Sequence, residues 1–133
     1  MFVSIDLANE MMTIRFTGSS TLQVGGTFTN NGVIDFLGYS GSIPANIING
    51  PGGVIVDSSS LRITQAMKSG AAFQVTMPTY PGHTYQLQRS ATPGGTWQDV
   101  AGQSKAGDGT IWTSADSTPF SPGSFLRIRV TTP

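Results

Sequence analysis

The chain has no cysteine, a single histidine and few charges. Without cysteine, disulfides and thiolate-held metals are excluded. With one histidine in a cysteine-free chain, a zinc site would have to rest on carboxylates, and these lack the spacing for it. Charged residues make up 11% of the 133, and seven basic side chains balance seven acidic ones. A nucleic-acid binder needs clustered Lys and Arg, so nucleic acid is not an expected partner. The same lack argues against a basic membrane-surface patch. The apolar runs are far too short to span a bilayer, so no membrane insertion is expected. Helix signals are nearly absent. The one candidate, "LANEMM" at Leu7 to Met12, is too short to be stable alone. The first twelve residues, "MFVSIDLANEMM", lack a basic stretch and carry Asp6 and Glu10, so they do not form a signal peptide. That leaves a cytoplasmic protein, or a fragment or mature form that has lost its export signal.

What is present is strand material. Apolar residues reach 38%, with two Trp, seven Phe and three Tyr, enough for the core of one domain or two very small ones. Gly, Pro or Ser-Gly clusters interrupt the chain every few residues. Between them lie short runs such as "MTIRF" (12–16), "TLQV" (21–24), "GVIDF" (32–36), "GVIVD" (53–57), "SLRITQA" (60–66), "AFQVTM" (72–77), "TYQLQRS" (84–90), "TWQDVA" (96–101), "TIWTS" (110–114) and "FLRIRV" (125–130). Many alternate apolar with polar, the period of a half-buried strand. The expected fold class is all-β.

The two halves differ. Up to about Met67 the strands are short and the breaks are Asn-Gly and Gly-Gly; from Ala71 the alternation is cleaner and the aromatics larger. "AMKSGAA", Ala66 to Ala72, is the expected joint, dividing the chain into 1–68 and 69–133. In the first half "TFTNNGVID", Thr27 to Asp35, fits two structures. Asn31-Gly32 between apolar stretches suits a tight hairpin. It also suits a corner in a stack of parallel coils, where Gly and Asn tolerate φ > 0. An internal echo favours coils: "NGVID" at 31–35 returns as "GGVIVD" at 52–57, offset by 21 residues. A second echo, "SSTLQV" (19–24) with "SSSLRI" (58–63), is offset by 39. The stretch "STLQVGGTFTNNGVIDF", Ser20 to Phe36, resembles coils of autotransporter-type and haemagglutinin-type bacterial surface proteins. The expectation is a short parallel β-helix-like segment, with hairpins as the alternative.

In the second half Phe73, Val75 and Met77, Tyr85 and Leu87, and Leu126, Ile128 and Val130 alternate with polar or charged neighbours, so each strand offers one apolar face to a second sheet. Trp97, after a Pro-Gly-Gly turn, is placed to fill the core or one end of it. The parts "FQVTM", "TYQLQRS", "TWQDV" and "FLRIRV" in that order resemble the fibronectin-III-like β-sandwich module that ends many large secreted bacterial proteins. A small antiparallel β-sandwich is expected.

Chemistry is sparse. His83, in "YPGHTY", is the sole imidazole and a formal base for a small ester or lactone hydrolase; the plainer reading is a histidine on a surface turn. "GYSGS" at 38–42 departs from a nucleophile elbow at its fifth position and no helix follows it. Asp108 and Asp116 offer oxygen ligands for Ca²⁺, without the spacing of a calcium loop. No other cofactor is expected. Trp112, Tyr80 and Tyr39 are the candidate carbohydrate-stacking aromatics. Trp112 and Ile111 face opposite ways, so one of them is outside. Two or three coils leave apolar ends and backbone edges open. The expected partners are therefore further copies of the chain, a trimer for instance, or neighbouring domains of a longer chain. Taken with both resemblances, the expectation is a non-enzymatic structural or adhesion module at the bacterial cell surface. A small carbohydrate-binding module and the His83 hydrolase are the alternatives.

Overall fold

A computed structural model of the chain describes residues 12–119 and 123–132. The helix candidate at Leu7 to Met12 lies outside these residues except for Met12. The described fold is all-β, with parallel and antiparallel sheets. The chain divides into two compact units, Met1–Ser60 and Leu61–Pro133.

The first unit holds β1 (Thr13–Gly18), β2 (Phe28–Asn30), β3 (Val33–Tyr39), β4 (Ile47–Asn49) and β5 (Val54–Val56). Every pairing among them is parallel, in the orders β1-β3-β5 and β2-β4. Thr27 to Asp35 is therefore a corner, because β2 and β3 flank Asn31-Gly32 without pairing to each other. The first echo is the register itself: Val33 pairs with Val54 and Ile34 with Ile55, 21 residues on. Parallel register brings like residues into columns. Ile14, Ile34 and Ile55 form one. Phe16 stacks on Phe36 with ring centroids 5.2 Å apart and planes 11° apart. Phe28 registers with Ile47, and both are buried with Leu22 in the same core. The second echo has no structural counterpart. Leu22 packs in this core, Ser58–Ser60 form a single 3₁₀ turn, and Leu61 opens the second unit.

The second unit holds β6 (Gln65–Ser69), β7 (Ala72–Pro78), β8 (Thr84–Ser90), β9 (Gln98–Ala106), β10 (Ile111–Asp116) and β11 (Phe125–Thr131). They form two antiparallel sheets, β10-β7-β6 and β11-β8-β9. Val75 from one sheet meets Leu87 and Val100 from the other, with Leu126 and Ile128 packed alongside. Tyr85 is fully buried, and its hydroxyl accepts a 2.9 Å hydrogen bond from the Tyr80 backbone N–H, tying the loop before β8 to the core. The reading of "AMKSGAA" as a joint is corrected. It is a hairpin in which β6 pairs with β7 around Gly70 at φ +61°, a value glycine adopts without strain. The boundary accordingly falls eight residues earlier than the sequence suggested. Two further runs are corrected: 21–24 is not a strand, and in 60–66 only the last two residues are. Trp97 is half-buried, with the Arg127 guanidinium 4.3 Å from its ring centroid.

Candidate functional site

Each unit leaves one surface open. In the first, the opening follows from how the corner is built. Asn30 ends β2 and is fully buried. Its side-chain amide donates to the carbonyls of Gly32 at 3.1 Å and Val54 at 3.0 Å and to Oδ1 of Asn49 at 2.9 Å. Its Oδ1 accepts from the Gly32 N–H at 3.2 Å. One side chain thus closes the corner of its own coil and bonds to the next. Asn49 stands at the same register position one coil on, but it is exposed. Beside it, β4 and β5 are each paired on one edge only among the described residues, and Ile48 and Val54 are 48% and 37% exposed. Gly53 is required for close approach rather than for φ: a Cβ there would run into the Asn30 carbonyl oxygen. Of the glycines in this corner, Gly52 carries the positive φ, +77°.

In the second unit, the opening lies along β6 and β11. All five residues of β6 are exposed. Ala66 and Lys68 are nevertheless registered with Val75 and Phe73, on the face that points between the sheets. Opposite, β11 is the edge strand of its sheet, and its inward residues Leu126, Ile128 and Val130 are only half-buried. Two grooves of about 510 and 440 Å³ run along this side, sharing Ile63 and Leu126 in their walls. Arg62 and Lys68 stand in their walls with no acid, while the side chain of Arg127 turns to the other face of its sheet.

The three candidate aromatics are not gathered in one unit. Tyr39 belongs to the first, where its ring packs against Phe16 and Phe36 and its hydroxyl donates to the Ser20 carbonyl at 2.6 Å. Tyr80 and Trp112 belong to the second. Trp112 is half-buried, on the face of β10 that carries buried Ser114 and Asp116, while Ile111 is the one outside, 71% exposed. His83 is 2% exposed, not on a surface turn as the sequence suggested. Its backbone bonds to the Tyr80 carbonyl and the Gly107 N–H hold it inside the loop packing.

The two calcium candidates are engaged by protein groups. Asp108 is the hub of a turn: Oδ1 accepts from the Thr110 N–H and hydroxyl and from the Thr79 hydroxyl, and Oδ2 pairs with Lys105 at 2.9 Å. The Thr110 hydroxyl and Lys105 hold its carboxyl far below the usual range. Asp116, fully buried, pairs with Arg89 at 3.0 Å and accepts the Thr118 N–H. Among the described residues, no three His, Cys, Asp or Glu side chains gather as a metal site would require.

Sequence reasoning missed Asn30. The usable signal was an apolar residue, any residue and Asn before a glycine corner, twice: Phe28 to Asn30 and Ile47 to Asn49. The open side of the sandwich left no signal in β11, which alternates from Leu126 to Val130 like any covered strand, whereas β6, Gln65–Ser69, does not alternate. Taken together, the described residues make an all-β architecture of stacked parallel coil and antiparallel sandwich, with strand edges open in each unit among the described residues. Comparison with protein-family models, curated proteins and solved structures finds no match to the chain. Among the described residues no helix is long and apolar enough to cross a membrane.

Proposed function

We infer that the chain is a non-enzymatic structural and adhesion module of a bacterial surface protein, self-associating through its open β edges. The observation that carries this reading is the contrast between Asn30 and Asn49. The first is a finished rung, with every polar atom used between its own coil and the next. The second is the same rung with no further coil paired to it among the described residues. A buried amide of this kind is stabilising only when another coil covers it. Edges with unpaired N–H and C=O groups take further strands readily. The resemblance of Ser20 to Phe36 to coils of bacterial surface proteins supports the extracellular setting. The places of Trp112 and Tyr39, packed rather than presented, weigh against the carbohydrate-binding alternative, and buried His83 weighs against the hydrolase.

Light scattering and sedimentation of the wild-type chain test the reading. Concentration-dependent assembly is expected, and Ile48→Lys with Val54→Lys, both exposed, is expected to abolish it while leaving the fold intact. A wild-type chain that stays monomeric at high concentration overturns it.

A further inference from the structure

The outward face of the β11-β8-β9 sheet carries polar side chains already fixed in place. Register sets Phe125, Arg127 and Arg129 of β11 on the face opposite Leu126, Ile128 and Val130. Gln88 of β8 and Asp99 of β9 share that face with them. We propose that this face binds a sugar acid: a uronate unit of an acidic polysaccharide, with its carboxylate on Arg127 and its hydroxyls on Asp99.

The first observation is a guanidinium that is held before any ligand arrives. A surface arginine ordinarily loses its rotamer freedom on binding, and that cost weakens the complex. Arg127 is exposed, but its guanidinium carbon lies 4.3 Å from the centre of the Trp97 ring, and its Nε donates to Gln88 Oε1 at 2.8 Å. Gln88 is fixed in turn: it is 4% exposed and its amide donates to Asp99 Oδ1 at 2.6 Å. Among the described residues no hydrogen bond takes the two terminal nitrogens of Arg127, and no acid pairs with it. An oriented pair of donors of this kind matches the two oxygens of a carboxylate.

The second observation is mixed polarity. Arg129 adds a cation and Asp99 an acid, so the three charged side chains leave one positive charge in excess. Asp99 is half exposed, and its Oδ2 meets Arg129 only at 3.5 Å, so it still accepts from a ligand. A ligand made of acids alone, such as an aspartate peptide, sets like charge against Asp99 and has no side-chain donor for it. A uronate brings one negative charge for Arg127 and hydroxyl donors for Asp99. The third is the backbone. β8 is paired on both edges, so the middle of this face has no free ladder groups for a peptide main chain. Phe125, 46% exposed and roughly 7 Å along the strand from Arg127, offers apolar surface to the C–H face of a sugar ring.

This site goes beyond the coil-edge reading and does not depend on it. Coil stacking is measured by particle size, the uronate site by side-chain resonances. It uses none of Trp112, Tyr80 and Tyr39. The test titrates the full chain, nitrogen-15-labelled, with tetragalacturonate, its methyl ester and tetra-aspartate. Tetragalacturonate should shift the Arg127 Nε–H and the Trp97 indole N–H saturably, and added salt should weaken it. The ester and the aspartate peptide should bind at least about tenfold more weakly. Arg127→Lys keeps the charge and removes the paired donors, and should weaken tetragalacturonate about tenfold. Asp99→Asn keeps an oxygen for Gln88 and provides the second variant. It should raise the affinity for tetra-aspartate toward that for tetragalacturonate. An ester or aspartate peptide that binds the wild type as tightly as tetragalacturonate would overturn the proposal. So would shifts confined to other strands, an absence of saturable shifts, or unchanged affinity in folded Arg127→Lys.

Discussion

The two units solve the same problem, enclosing strands with few charges and no crosslinks, in opposite ways. In the coil, residues are covered by their own counterparts one turn on, as Ile14, Ile34 and Ile55 or Phe16 and Phe36 are. In the sandwich they are covered by unlike residues from the facing sheet, Val75 by Leu87 and Val100. A coil is therefore as good as its neighbour, and its weakest point is its last rung. A sandwich shares one core, and its weakest point is an uncovered side. The open surfaces fall where this logic puts them: at Asn49 in one unit and between β6 and β11 in the other.

One device is common to both and gives the largest expected effect. Each unit buries one aspartate that accepts the backbone N–H two residues on and pairs with an arginine from another strand. Asp35 takes the Leu37 N–H and pairs with Arg15 at 3.1 Å. Asp116 takes the Thr118 N–H and pairs with Arg89 at 3.0 Å, and Arg89 also donates to the Thr118 carbonyl and hydroxyl. Removing one member of a buried pair costs about 3–5 kcal/mol because a charge is left without compensation. Arg89 is 20% exposed and Arg15 31%, so water compensates the coil's aspartate more readily. Arg89→Ala should therefore destabilise by about 3 kcal/mol or more, and Arg15→Ala by less, in urea unfolding followed at resolved amides of each unit. If the order reverses, the coil is the more tightly sealed of the two.

Next comes the polar rung. Asn30→Ala removes the side-chain partner of the Val54 carbonyl and of the Gly32 N–H in a buried corner, while the Gly32 carbonyl keeps the Val54 N–H. Each such orphan costs about 1–3 kcal/mol, reduced where water enters the vacated space. A loss of about 2–3 kcal/mol is expected, with the amides of β2, β3 and β5 losing exchange protection first. The sharper question is whether β7 and β8 keep theirs. Retained protection means the units unfold separately. Simultaneous loss means the coil, despite its local register, belongs to one cooperative structure with the sandwich.

The legibility of the sequence follows the same division. The coil register was readable at Val33 and Val54 because parallel stacking repeats residue types at a fixed spacing, and repetition survives in a single sequence. The echo at Ser19 and Ser58 misled because serine and leucine recur by composition alone. The sandwich strands were readable from alternation at Tyr85 and Leu87, but their coverage was not: Leu126, Ile128 and Val130 alternate with Arg127 and Arg129 whether or not anything lies above them. "AMKSGAA" showed a break around Gly70, and a break is equally the turn of a hairpin or the end of a domain until pairing decides. His83 shows the same limit. Pro81-Gly82 announced the turn, with Gly82 at φ +87°, but the packing of Tyr80, Tyr85 and Gly107 that buries the ring's residue is non-local.

The smallest expected effect concerns pH, and it compares two exposed turns. Asp57 at the end of the coil accepts the Ser59 N–H at 2.9 Å and the Ser59 hydroxyl, which lowers its carboxyl below the ordinary 3.8 despite a partial desolvation cost. Asp108 in the sandwich is lowered further by the Thr110 hydroxyl and then by Lys105. Both folded values lie below the unfolded one, so each turn's contribution is fully present above the ordinary carboxylate range and is lost as pH falls through the folded value. Acidification should therefore leave both turns intact through pH 4, with Asp57 titrating first and Asp108 later. The amide shifts of Ser59 and Thr110, which report the two carboxyls directly, check this. Because Lys105 and Asp108 are solvent-accessible, added salt should narrow the gap between the two transitions by screening that pair, while the hydroxyl bonds keep their share. If Thr110 shifts together with Ser59, the lysine contributes nothing to the turn, and the sandwich's loop is held by the same local hydroxyl geometry as the coil's.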